Sequence, residues 1–149
     1  LEALVKDICD DFFDIAMIQN KTLKISSQLK HKNILSDKNK LRQLFIIFID
    51  NAFKYTEEED YIKISLSEKD EKIYIKIEDN GLGIKKEELP HLFDRFFRSE
   101  NVRNKDIDGS GIGLSIAKVI SESLKYKLKV DSEYGKWTKF EIIIPIDED

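Results

Sequence analysis

Ile73-Tyr74-Ile75-Lys76-Ile77-Glu78-Asp79-Asn80-Gly81-Leu82-Gly83-Ile84 is the stretch from which the rest of the chain can be read. Isoleucine alternates with polar residues from 73 to 78, the period of a strand with one buried face. The strand delivers a carboxylate, Asp79, directly into a pair of glycines. Glycine is entropically costly, so it is kept where backbone takes positive φ or lies close against something else. A second cluster, Gly109-Ser110-Gly111-Ile112-Gly113-Leu114, holds three more of the six glycines. Two such clusters in one short chain predict loops shaped around a bound molecule.

Working outward, Ile62, Ile64 and Leu66 alternate with Tyr61, Lys63 and Ser65, which predicts a hairpin with the 73–77 strand, turning near Lys69-Asp70. Upstream, Leu41, Leu44, Phe45, Ile47, Phe48, Ile49, Ala52 and Phe53 cover much of a helix circumference, so a helix N-capped by Asp37 is expected to be buried. Leu1, Leu4, Val5, Ile8, Phe12, Ile15 and Ala16 predict a first amphipathic helix over about residues 1–18. Leu23 to Ser26 and a short Asn33 to Leu35 run read as strands. Residues 85–98 give a polar turn, Pro90, and then Leu92, Phe93, Phe96 and Phe97 with Arg95 and Arg98 interleaved. Residues 99–110 lack apolar periodicity and are expected to form a mobile loop. Leu114 to Leu124 resumes helical spacing, and Tyr126 to Val130 and Trp137 to Ile144 alternate as final strands. The sum is an α+β fold, a two-layer α/β sandwich with about three helices on one face of a mixed, mainly antiparallel sheet of about five strands.

With 149 residues, 41% hydrophobic and 36% charged, the chain has the composition of one domain with a real core. A net charge of −4 with Lys and Glu intermixed leaves no broad basic face, which argues against nucleic acid as partner. The lone Cys9 excludes an internal disulfide framework, and its spacing with Val5, Ile8 and Phe12 places it in the core. No apolar run approaches the length of a bilayer span, so no membrane contact is expected of this stretch. The chain opens at Leu1 inside a helical pattern and reads as part of something longer. His31, in a Lys-rich loop, and His91, in the Pro90 turn, read as surface residues.

Three features carry chemistry. Asn51 and Lys54 lie three apart on one helix face, where an amide oxygen and an ammonium suit a metal ion and a phosphate. The same pair would be equally at home as a satisfied buried amide and a snorkelling surface lysine. Asp79 accepts hydrogen bonds but repels phosphate, so it should meet a donor such as the exocyclic amine of adenine, with Gly81 and Gly83 folding under the base and Ile84 as an apolar wall. The competing reading is an ordinary Asp-Asn-Gly turn. The second cluster opens a helix, whose exposed amides and dipole attract phosphate. Its Gly-x-Gly-x-Gly spacing is not a dinucleotide fingerprint, and no Gly-Lys-Ser or Gly-Lys-Thr marks a P-loop.

Asp50-Asn51-Ala52-Phe53-Lys54-Tyr55-Thr56, Asp79-Asn80-Gly81-Leu82-Gly83-Ile84, Leu92-Phe93-Asp94-Arg95-Phe96-Phe97-Arg98 and Gly109-Ser110-Gly111-Ile112-Gly113-Leu114 resemble, in order, the N, G1, F and G2 boxes of sensor histidine kinases. The resemblance runs from about Asp37 to Pro145. It implies the ATP-binding catalytic domain over residues 1–149, a Bergerat-type sandwich shared with gyrase, heat-shock chaperones and mismatch-repair ATPases. By position it implies Asn51 as Mg²⁺ ligand, Lys54 and Arg98 facing phosphates, and Tyr55 stacking by adenine. Asp79 would accept from the adenine amine, supported by Thr138, and residues 99–110 would form the ATP lid. Gly109, Gly111, Ile112, Gly113 and Leu114 would line the phosphate side.

The resemblance further implies transfer of the γ-phosphoryl group to a histidine on a separate dimerisation domain, with residues 1–20 following that missing hairpin. Neither His31 nor His91 sits in an acceptor segment. A response regulator is the implied downstream partner, and a cytoplasmic domain of a membrane-anchored parent the implied setting. Two departures stand out. Ile47 occupies the position, one turn before Asn51, where these kinases usually carry an asparagine and the ATPase relatives a catalytic glutamate. Trp137, and Ser123-Leu124-Lys125, replace expected glycines. The alternatives are a nucleotide-binding regulatory module, an anti-sigma-type serine kinase, and a gyrase-like hydrolase, the last disfavoured because isoleucine cannot activate water.

Overall fold

A computed structural model describes residues 1–30, 34, 36–94 and 113–146. Helix α1 (Glu2–Ile18) leads to β1 (Thr22–Gln28), then α2 (Lys38–Lys54), the hairpin β2 (Tyr61–Lys69) and β3 (Lys72–Asp79), a 3-10 helix (Lys86–His91), α3 (Gly113–Leu124), β4 (Lys127–Glu133) and β5 (Trp137–Pro145). The sheet order is β1-β2-β3-β5-β4. β1 runs parallel to β2 across the α2 crossover, and the other pairs are antiparallel. The expected short strand from Asn33 to Leu35 falls largely outside the described residues.

Local chemistry explains where the elements stop. The Asp37 carboxylate accepts from the Asn39 and Lys40 amides, both at 3.1 Å, which satisfies two donors at the start of α2. The β2–β3 hairpin turns through Asp70 (φ 52) and Glu71 (φ 61), the pair of left-handed residues that a type I′ turn requires. α1 and α3 end alike. Asn20 (φ 55) and Lys125 (φ 63) are left-handed, and the following amides of Lys21 and Tyr126 reach back to the carbonyls of Ala16 and Ser121, both at 2.8 Å. This is the Schellman pattern, normally closed by glycine. Lys125 therefore fills with a lysine a conformation that suits the glycine expected there.

The core lies between the helices and one face of the sheet. Ile62, Ile64, Ile73, Ile75, Ile77 and Ile142 of the strands are fully buried against Leu44, Phe45, Phe48 and Ile49 of α2 and Val5, Ile8 and Cys9 of α1. Phe12 stacks on Phe53 at 5.3 Å, and Phe48 meets Phe140 at 5.0 Å. As expected, α2 is largely buried, with Leu41, Leu44, Phe45, Phe48, Ile49, Ala52 and Phe53 in the core and Ile47 half-buried. Gln43, Ile46 and Lys54 are exposed. Burial pushes the Cys9 thiol up to about 12. Cys9 should resist a maleimide at pH 8 in the native protein and react fully once unfolded in urea, as followed by mass spectrometry.

Candidate nucleotide-binding site

Register places a polar row at one end of the helix-facing side of the sheet. Ile62 pairs with Asp79, Asp79 with Thr138, and Thr138 with Ser132. Beyond this row the inward positions of β3, β4 and β5 are apolar (Ile73, Ile75 and Ile77; Leu128 and Val130; Phe140, Ile142 and Ile144), so on these three strands the core gives way to carboxylate and hydroxyls at this end. Asp79 and Thr138 are 5% and 6% exposed. The Ser132 hydroxyl lies 3.1 Å from that of Thr138, donates to the Trp137 carbonyl at 2.6 Å, and accepts from the Ile84 amide at 2.7 Å. Ser132 thus ties the end of the glycine loop to the sheet. Nothing along the chain marks it beyond a serine in a strand.

The loop after Asp79 is held on three sides. The Gly81 amide donates to Asp79 Oδ1 at 3.0 Å, the Leu82 amide to the Tyr55 carbonyl at 3.2 Å, and the Gly135 amide to the Leu82 carbonyl at 2.7 Å. Asn80 Oδ1 accepts from the Tyr61 amide at 2.7 Å, closing the base of β2. A Cβ on Gly81 would collide with the Tyr55 carbonyl oxygen and come within 3.1 Å of Thr56 Cγ2. Gly83 is left-handed (φ +70), and a Cβ there would strike the Glu133 carbonyl and lie 2.8 Å from the Gly135 nitrogen. Both glycines are therefore required by the close approach of the α2 end on one side and the β4–β5 turn on the other.

Desolvation raises the Asp79 pKa from 3.8 to about 7; the Gly81 amide opposes this, the Asp60 charge adds to it, and Lys21 again opposes it. A carboxylate so placed gains from any donor that reaches it. Thr56 donates back to the Ala52 carbonyl at 2.8 Å, which fixes the α2 end beneath the loop. Lys54 Nζ rests on Asp50 at 3.0 Å, both side chains exposed. Asn51 is half-buried on the same turn of α2, and Tyr55 is half-buried just beyond it. Ile47 faces the start of α3: a Cβ on Gly113 would lie 3.8 Å from its Cγ2. Gly113 and Leu114 open α3, so a helix N-terminus stands opposite α2. Arg98, Gly109, Gly111 and Ile112, with the expected lid at 99–110, lie outside the described residues.

The structure thus brings Asp79, Gly81, Gly83, Ile84 and Thr138 together at one end of the sheet, with Asn51, Lys54 and Tyr55 on the adjoining helix end. Residues 36–148 match the family described as histidine kinase-, DNA gyrase B- and HSP90-like ATPase. The chain belongs to that family. Membership in this ATPase family carries with it a site for ATP. Sensor protein CiaH of Streptococcus pneumoniae is 39% identical over 132 residues, covering 89% of this chain and 30% of that protein. The histidine-protein kinase ArlS of Staphylococcus epidermidis is 42% identical over 110 residues, 74% of this chain and 24% of that protein. The chain spans under a third of the length of these relatives.

Among solved structures, the nucleotide-free catalytic domain of histidine kinase ThkA superposes with a TM-score of 0.84 at 22% identity, covering 98% of this chain and 92% of that one. Full-length ShkA in complex with AMPPNP gives a TM-score of 0.85 at 22% identity, with 99% of this chain and 30% of that chain covered. These likenesses establish the fold as that of a histidine kinase catalytic domain. Among the described residues no helix is long and apolar enough to cross a membrane.

Proposed function

We propose that this ATPase-family domain is the catalytic domain of a two-component sensor histidine kinase, passing the γ-phosphoryl group of ATP to a histidine on a separate dimerisation domain. The observation that carries the nucleotide part is the buried Asp79 carboxylate set against the Gly81–Gly83 cradle. Asp79 accepts from the adenine amine, Thr138 and Ser132 hold that end of the sheet, and Ile84 walls the base. Asn51, Lys54, Arg98 and the amides of the second glycine cluster face the triphosphate. Asn51 is the metal ligand, an oxygen donor on a half-buried turn next to phosphate-binding groups. Mg²⁺ bound there supplies charge neutralisation across the phosphates.

Phosphoryl transfer asks the protein for in-line positioning and electrostatics more than for covalent help. The chain's own groups do that work: Asp79 fixes the base, the glycine amides and cations fix the phosphates, and the partner domain brings the nucleophile. Ile47, apolar and packed by Gly113, leaves no group at its position to activate water, which favours transfer over hydrolysis. The names of the relatives favour the kinase over a serine kinase or a regulatory module. A response regulator is the downstream partner, as in the crystallised complex of ThkA with TrrA, and the parent is membrane-anchored with this domain in the cytoplasm.

The domain incubated with γ-labelled ATP and a separately produced dimerisation hairpin should yield an acid-labile, alkali-stable label on the hairpin. An acid-stable label identifies the serine kinase, free phosphate alone the hydrolase, and neither the regulatory module. For the metal, Asn51→Ala should weaken binding of ATP in the presence of Mg²⁺ by about tenfold and leave binding in EDTA within about twofold. Equal losses in both conditions, by calorimetry, would remove Asn51 from the metal site.

A further inference from the structure

We infer that Ser132, outside all four sequence boxes, is a specificity-determining residue of the base site: by fixing where the hydrogen of Thr138 points, it leaves Asp79 and Thr138 as a row of acceptors that takes a purine with an exocyclic amine and refuses one with a carbonyl in its place. The inference rests on the reading of Asp79 as the adenine acceptor. Register sets the three residues side by side. Asp79 pairs with Thr138, and Thr138 with Ser132, on adjacent strands at the same end of the sheet.

The direction of each hydrogen bond follows by elimination. A hydroxyl has one hydrogen to give and two lone pairs with which to accept. At Ser132 Oγ, the Trp137 carbonyl at 2.6 Å can only accept, so it takes the hydrogen. The Ile84 amide at 2.7 Å can only donate, so it fills one lone pair. The Thr138 hydroxyl, 3.1 Å away, is the third partner. Ser132 has no second hydrogen to offer it, so Thr138 donates and Ser132 accepts. Ser132 Oγ is then saturated, and the hydrogen of Thr138 is spent.

Two acceptors remain for a base. Asp79 gives Oδ1 to the Gly81 amide, and its other oxygen meets no donor among the described residues. Thr138 Oγ1 likewise keeps its lone pairs free of any donor among the described residues. Both residues are buried, so bulk water competes little with a ligand there. The exocyclic amine of adenine carries two hydrogens, one for each acceptor, directly or through a bridging water. A carbonyl in the same place sets oxygen against oxygen and desolvates acceptors without making a bond. Without Ser132, the Thr138 hydrogen turns freely and meets that carbonyl as a donor. The bond from Ile84 to Ser132 also steadies the apolar wall of the site, but that support is indifferent to which group the purine carries.

The test is calorimetric affinity for ATP and for inosine triphosphate, in which a carbonyl replaces the exocyclic amine, both with Mg²⁺ and expressed as a ratio. The proteins are the native domain, Ser132→Ala, Ser132→Thr, Thr138→Val and the double variant. The native domain should prefer ATP, and Ser132→Ala should lower that preference about fivefold, the worth of one buried hydroxyl donor to the carbonyl-bearing base. Ser132→Thr keeps the hydroxyl and should stay within about twofold of the native ratio. In the Thr138→Val background no hydrogen is left to turn, so adding Ser132→Ala should not move the ratio. Equal weakening of both nucleotides by Ser132→Ala, as from a merely structural role, overturns the inference. So does a native domain that binds both alike, an unchanged ratio in Ser132→Ala, or a ratio that falls as far in the Thr138→Val background. Asp79→Asn separates the two levels: if it binds ATP as tightly as the native domain, the adenine reading itself fails, whatever Ser132 does.

Discussion

Asp79→Asn is expected to lose at least about a hundredfold in ATP affinity while melting at a higher temperature than the native domain at pH 8. The affinity loss follows from charge and direction. With Oδ1 taken by the Gly81 amide, the carboxylate offers its other oxygen to the adenine amine, whereas an amide turned to satisfy Gly81 presents its NH₂ to another NH₂. Loss of a charge-assisted bond together with a donor facing a donor costs roughly 3 kcal/mol or more. The stability gain follows from linkage. Burial holds the folded Asp79 pKa at about 7 against 3.8 for a free side chain, so the fold favours the protonated acid. Its contribution to stability is fully present below pH 3.8, fades as pH rises, and is gone above about pH 7. The carboxylate left ionised at pH 8 carries a penalty on the order of 4 kcal/mol.

Asparagine removes that penalty and keeps the acceptor for the Gly81 amide, but adds an NH₂ that needs a partner. The net gain is therefore about 1–2 kcal/mol, a rise of a few degrees for a chain of this size. At pH 4 and below, where the penalty is gone and the added NH₂ still lacks a partner, the variant should melt somewhat lower than the native domain. Thermal denaturation at pH 4 and pH 8, with calorimetric titration of ATP, checks both halves. A variant that binds ATP normally removes Asp79 from the adenine site, and one that melts lower at pH 8 refutes the desolvated carboxylate.

Gly83→Ala is expected to destabilise the domain by about 3–5 kcal/mol and to abolish nucleotide binding in whatever fraction stays folded. The new methyl would strike the Glu133 carbonyl and lie 2.8 Å from the Gly135 nitrogen and 2.9 Å from the Tyr134 Cα, all backbone of one turn that cannot swing aside as a side chain could. A left-handed φ of +70 adds its own strain of about 1 kcal/mol. Gly135→Ala is the control. Its φ of +79 carries the same strain, but nothing lies within 4 Å of the added Cβ. It should cost only about 1 kcal/mol. Urea denaturation of the pair distinguishes the two contributions, because equal losses would mean that the β4–β5 turn yields freely and that the cradle is not built on it.

Much of this molecule can be read along the chain because its signals are local. The alternation from Ile73 to Ile77, the cap at Asp37 and the heptad-like spacing of Val5, Ile8 and Cys9 are each set by neighbours a few residues away. The structure returns them with only their ends moved: β1 to Thr22–Gln28 and β4 to Lys127–Glu133. The burial of α2 is legible in the same way, although an apolar count does not say which residue the neighbouring elements leave uncovered. Ile46 is the residue left outside.

The amino-acid sequence alone determined the elements, the carboxylate before the glycines and the boxes that resemble a histidine kinase, because each depends on spacing within one element or one loop. Only the tertiary structure decided that Ile62, Asp79, Thr138 and Ser132 form one row, that Gly83 is pinned by the β4–β5 turn, and that the Ser132 hydroxyl meets the Ile84 amide. Those relations depend on strand register and loop packing, which join residues far apart in sequence that no local period connects.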